Sequence, residues 1–200
     1  MSVDGGRLRG LCADYLGQYL GKIRFCVDRL DERQTWVRSG PGRNSVGNLM
    51  LHLCGNLSQW VLSGLGGEKD TRQRALEFAA DGGADRAELI ERLAAVVGRC
   101  RGVIAALDDA ALAAPRKIQD RETDGLGALL HAVEHMSYHT GQIVFAAKQA
   151  LGPDGGIDFY PHLNAVPTTR PTGARRPPRA ARARSVKAGR AASGRRRGRR

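Results

Sequence analysis

Three histidines recur every fourth residue in H-A-V-E-H-M-S-Y-H-T-G-Q, at His131, His135 and His139. Residues four apart on a helix stack on one face. With about 100° per residue, His131, His135, His139 and Gln142 fall within an arc of roughly 80°. Leu129, Ala132, Val133, Met136, Ile143, Val144 and Ala147 fill the neighbouring arc. The same pattern occurs upstream. Asn48, His52, Asn56 and Gln59 share one arc, beside an apolar set of Val46, Leu49, Met50, Leu53, Leu57, Trp60 and Val61. A solvated helix face would carry Lys and Glu. Imidazoles and carboxamides beside a core suggest the rim or floor of a pocket. This pairing demands two helices that face each other.

The remaining periodicity supplies two more helices. Leu8, Leu11, Tyr15, Tyr19, Ile23, Cys26 and Leu30 predict a first helix over 8–30, with Gly17 and Gly21 as places where another helix could approach closely. Asn44 or Ser45 caps a second helix to about Ser63. Leu89, Leu93, Val96, Val97, Cys100, Ile104 and Leu107 predict a third over 85–107, with Asp85 as cap and Glu88 at capping-box spacing. The fourth follows Asp120–Thr123 and runs to about Leu151. Residues 36–42 and 108–122 read as loops. The connection 64–84 is long enough to be functional, with a helical turn in its middle. No strand pattern competes, so the expected class is all-α, an antiparallel four-helix bundle. Phe159 and Tyr160 are expected to pack on it, and His162 to be structural.

Charge separates the chain into two parts. The 200 residues hold 32 Lys and Arg against 20 Asp and Glu, a net +12. Thirteen of the basic residues and none of the acidic ones lie beyond Asn164, which leaves residues 1–164 at a net −1. The expected organisation is a bundle over 1–164 and a disordered Arg-rich tail over 165–200. The tail could bind nucleic acid non-specifically through salt-sensitive phosphate contacts, or be a solvated appendage. No apolar run is long enough to span a membrane, and no signal peptide is evident, so a cytoplasmic location is expected. Cys12, Cys26, Cys54 and Cys100 lack C-x-x-C spacing and read as buried free thiols. Cys54 points away from His52 and belongs to the core.

The segments N-S-V-G-N-L-M-L-H-L-C-G-N-L-S-Q-W (44–60), R-A-L-E-F (74–78), H-x-x-x-H-x-G-Q-I (135–143) and D-F-Y-P-H-L (158–163) resemble the DinB-like superfamily of metal-binding four-helix bundles, in a branch of unassigned activity. That resemblance implies a metal held by His52, His135 and His139. It also implies thiol-dependent transfer or isomerisation with a low-molecular-weight thiol such as bacillithiol, mycothiol or glutathione, and a homodimer. Three neutral imidazoles suit Zn, Ni, Fe or Cu, with Zn or Ni favoured here. A thiol brought to such a centre would ionise and could attack an electrophilic small molecule.

Asn48, Asn56, Gln59, His131 and Gln142 are candidates to orient ligands or substrate. For Asn56 and Gln59 an ordinary helix-surface role competes. His131 is open between a supporting contact, a substrate contact and a plain surface residue, and is not taken as a ligand. His131 to His135 also matches H-x-x-E-H, which would make Glu134 a general base. That reading leaves His52 and His139 unexplained and wants a downstream carboxylate ligand that the chain lacks outside a turn. The expected activity is therefore metal-dependent thiol transfer, with a non-catalytic metal-binding bundle in stress response or interaction as the alternative.

Overall fold

A computed structural model describes residues 4–164 of the chain. The chain divides into a compact unit, Met1–Tyr160, and a second unit, Pro161–Arg200. The Arg-rich tail over 165–200, with its expected disorder and nucleic-acid binding, lies outside the described residues.

The first unit is mostly helical. Helix α1 (Gly5–Val27) opens on Asp4, whose side chain accepts the Gly6 N–H at 3.0 Å. This cap starts the helix one turn earlier than the periodicity suggests. The burial phase is also corrected. Cys12 and Leu16 are buried, whereas Leu11 and Tyr15 are exposed. Only Ile23, Cys26 and Leu30 of the predicted stripe are fully in the core. Nor do Gly17 and Gly21 admit a close neighbour: a Cβ at Gly17 would meet Arg101 at an ordinary 3.6 Å, and one at Gly21 would meet nothing. A short helix α2 (Glu32–Trp36), opened by an Asp31/Gln34 capping box, begins just before the expected loop. Trp36 lies so close to Gly47 that a Cβ there would stand 2.7 Å from its ring.

Helix α3 (Val46–Leu57) is capped by Ser45, which exchanges capping-box hydrogen bonds with Asn48. All seven predicted apolar positions from Val46 to Val61 are buried. The helix continues as a π-helical segment, Ser58–Ser63. Within the long connection, α4 (Arg74–Ala79) supplies the expected helical turn. Helix α5 (Arg86–Ala106) is capped by Asp85, whose Oδ1 accepts the Glu88 N–H at 2.8 Å. A five-residue helix α6 (Asp109–Ala113) follows. Helix α7 (Gly125–Leu151) starts at Asp124, whose side chain accepts the Gly127 N–H at 2.7 Å.

The described residues are mostly helical, as expected of an all-α fold, and the expected loop over 108–122 is where the structure differs. Residues 115–124 form an antiparallel hairpin, β1 (Pro115–Ile118) paired with β2 (Arg121–Asp124). Its two turn residues, Gln119 and Asp120, have φ of 50° and 59°. Paired positive φ values make the tight turn that suits the twist of a hairpin. The turn lacks the Asn-Gly or Asp-Gly pair that normally announces a hairpin.

Helix α1 packs on α5 and α7, and α3 packs on the same two helices. Leu53, Leu57, Leu93, Ile104, Leu129 and Met136 fill the space between, all fully buried. Each such side chain stabilises the fold by about 1.5–3 kcal/mol. Phe159 docks on Phe25 with ring centroids 5.4 Å apart, and Lys22 lies over the Phe159 and Tyr160 rings. Within the second unit the described part is the short helix α8 (Pro161–Asn164), on which His162 is exposed.

Candidate metal site

The polar stripes of α3 and α7 meet. His52, His135 and His139 each turn a ring nitrogen to one place, with these atoms within 4.8 Å of one another. His52 Nε2 and His135 Nε2 are 3.2 Å apart. Two nitrogens bound to one tetrahedral ion at about 2.0–2.1 Å would be separated by about 3.3 Å. The spacing therefore fits a shared ion as well as a hydrogen bond.

The partners of these rings favour the ion. His52 Nδ1 lies 2.8 Å from Glu77 Oε2, and His139 Nδ1 lies 2.7 Å from Gln142 Oε1. A carboxylate oxygen and an amide oxygen accept, so each Nδ1 donates. The proton on Nδ1 leaves Nε2 with a free lone pair, the tautomer a metal ligand needs. Burial pushes the His135 pKa down to about 3, helped by His139, His52, His131 and Arg72 nearby. Burial also lowers His139, against the pull of Gln142. Both rings are neutral at physiological pH and offer nitrogen lone pairs.

Glu77 is the functional residue that spacing did not single out. It sits on α4, 25 positions from His52, with its side chain 10% exposed. Arg72 grips it from behind: Nε donates to Oε1 at 2.7 Å and Nη2 to Oε2 at 2.9 Å. Arg72 Nη2 also lies 3.0 Å from His52 Nδ1. Both nitrogens carry hydrogen, so the carboxylate between them takes both. Burial alone would raise the Glu77 pKa, but hydrogen bonds from Arg72 and His52 bring it below the ordinary value. The pair closes onto α3 because residue 55 is glycine. A Cβ there would collide with Glu77 Oε1 and stand 2.9 Å from Arg72 Nε. The one local signal for Glu77 is its place as an acid between Leu76 and Phe78 in R-A-L-E-F.

The other predicted residues divide. Gln142 holds His139 directly. Asn48 acts at one remove: its Nδ2 donates to Glu77 O at 2.9 Å and Ala80 O at 2.6 Å, tying α4 to α3. Gln59 Oε1 accepts from Arg72 Nη1 at 2.9 Å and also meets Gln119, while its Nε2 donates to Asp70 at 2.6 Å. Asn56 is 3% exposed, so the surface role weighed for it is corrected; its Oδ1 has no hydrogen-bond partner among the described residues. His131 lies outside the three-nitrogen cluster and stacks on Trp60 at 3.8 Å between ring centroids. Cys54 is buried in the core.

The triad opens on a cleft of about 430 Å³, lined also by Asn44, Arg74, Phe78, Glu134 and Tyr138. Three neutral nitrogens could hold a divalent ion and leave its other positions facing that space. A family model described as the DinB superfamily matches residues 21–143, a span that holds the triad, Arg72, Glu77 and Gln142. The chain belongs to the DinB superfamily. Among solved structures, this DinB-superfamily chain is similar to a conserved protein from Enterococcus faecalis, with TM-score 0.63 and 16% identity over 72% of this chain and 96% of that one. It is also similar to a DinB-like protein from Bacillus cereus, with TM-score 0.52 and 17% identity over 66% and 85%. These likenesses speak for the fold. No curated protein matches the chain.

Proposed function

We propose that this DinB-superfamily protein is a metal-dependent transferase that adds a low-molecular-weight thiol to an electrophilic small molecule. His52, His135 and His139 hold the metal, zinc or nickel by ligand type. The observation that carries the reading is the clamping of two imidazoles at Nδ1, His52 by Glu77 and His139 by Gln142, which turns their Nε2 atoms beside an open cleft. A divalent cation held by three neutral ligands supplies Lewis acidity that lowers the pKa of a thiol or water brought to it.

The chain's own residues do the rest. Glu77 keeps the Nδ1 proton of His52 in place, and Gln142 does the same for His139. Phe78, its ring centroid 4.6 Å from that of His52, and Tyr138, 5.0 Å from that of His139, wall the cleft with aromatic surface. Exposed Leu11, Tyr15 and Leu130 support pairing with a second copy, which sedimentation would detect as a dimer mass.

The test begins with metal content of untagged protein beside His52→Ala and His135→Ala. Near-stoichiometric zinc or nickel in the wild type, lost from both variants, is the expected result. Thiol conjugation of an electrophile such as monobromobimane is then followed with and without metal. Metal retention without turnover would leave the non-catalytic metal-binding role, and a folded wild type that takes up no offered metal would end the enzymatic reading.

A further inference from the structure

Two unpaired charges of opposite sign face the cleft. On one wall the Arg74 guanidinium lies 4.8 Å over the Phe78 ring, and Phe78 lies 4.6 Å from the His52 ring. On the other wall Glu134 precedes His135 and sits one helical turn before Tyr138, whose ring meets His139 at 5.0 Å. Arg74 thus stands one aromatic ring away from His52, and Glu134 is the residue next to His135 in sequence. Both line the same cleft, and neither has a hydrogen bond or salt bridge among the described residues. Both side chains are exposed, whereas the buried charges behind His52, Arg72 and Glu77, are paired with each other. Opposite charges that share a cleft without closing on each other leave room for a ligand between them.

We propose that the cleft binds a small zwitterion of α-amino-acid type, its carboxylate on Arg74 and its ammonium on Glu134. Combined with the transferase reading, on which this step rests, that zwitterion is the thiol substrate. Stacking on Phe78 fixes the guanidinium plane and leaves its N–H edge free for two parallel hydrogen bonds to a carboxylate. The Glu134 carboxylate complements an ammonium. A skeleton with amino and carboxylate groups on the carbon next to the thiol-bearing carbon carries the two charges that complement Arg74 and Glu134, together with a sulfur for the triad that lines the same cleft. This also gives Glu134 a role without the general-base motif that its spacing with His131 and His135 imitates.

The test titrates the zinc-loaded full chain with four probes, followed by NMR. The probes are cysteine, cysteamine without the carboxylate, mercaptopropionate without the ammonium, and serine without the thiol. Because both walls are exposed, each charge contributes modestly, and cysteine is expected to bind about fivefold more tightly than either truncated thiol. Arg74→Ala erases the advantage over cysteamine alone, and Arg74→Lys restores part of it. Glu134→Gln erases the advantage over mercaptopropionate alone. Equal binding of all three thiols, unchanged in both variants, overturns the zwitterion site and leaves the metal-thiol reading standing. Serine binding as tightly as cysteine, lost in Arg74→Ala, supports the zwitterion site and removes the thiol from it. Binding of neither cysteine nor serine overturns both.

Discussion

At the scale of residues, the site depends on side chains that never touch a ligand. Glu77 fixes the His52 ring and its tautomer, and Arg72 fixes Glu77. Supporting partners of this kind typically change metal affinity by about 10–100-fold. Glu77→Gln keeps the shape but removes the charge, so chelator competition should find the zinc affinity lower by about that factor, with an unchanged helical spectrum. Gly55→Ala should act in the same direction from the other side of the carboxylate, because the added methyl displaces the Arg72–Glu77 pair. Affinity equal to wild type in both would show that His52 is positioned by its helix alone. The histidine triad was legible in the sequence because helical period is written in spacing. Glu77 was hidden because its partner lies 25 positions away, across a connection whose path no local pattern records. Its neighbours Leu76 and Phe78 hinted only that one side of α4 is apolar.

Helix phase and turn chemistry show the same boundary at the scale of elements. In α3 the predicted apolar positions are all buried, and the polar positions Asn48, His52 and Asn56 are buried too, since the helix is covered on nearly every side. In α1 the arc was rotated. Tyr15 and Leu11 look like core residues, yet half of that helix faces outward, and the small Cys12 takes the inner place. The hairpin leaves little trace in the sequence because Gln119 adopts positive φ and no Gly follows it, although Asp120 is a residue that tolerates the left-handed region. Such a conformation costs a side-chain-bearing residue about 1–2 kcal/mol. Replacing the turn by Asn and Gly, as Gln119→Asn with Asp120→Gly, should therefore stabilise the protein. Glycine's greater freedom in the unfolded chain offsets part of the gain, which leaves about 0.5–1 kcal/mol. A rise in the urea midpoint checks it, and a fall would mean that Gln119 contributes more through its contact with Gln59 than the turn gains.

On the scale of the whole molecule, the four cysteines report on the integrity of the core. All are free and buried. Burial pushes the Cys54 and Cys100 thiols up to about 12 and Cys26 to about 11, from an ordinary 9.0, and raises Cys12. The folded protein thus holds its thiol protons at pH values where the unfolded chain releases them. Stability from this source is fully present below about pH 9 and is lost as pH rises towards the folded values. Near pH 10 a thiol held at about 12 lowers stability by about 1 kcal/mol. Urea midpoints should be flat from about pH 7 to 8.5 and fall above about pH 9, with a smaller fall in Cys54→Ala after allowance for its lower starting stability. The same burial should make the thiols inert to iodoacetamide in the folded state and reactive in urea. Rapid labelling of Cys54 or Cys100 without denaturant would mean that α3 and α5, which share those thiols, separate locally. His52 would then be carried on a helix that moves against α5, and metal binding should slow the labelling by holding α3 against α7.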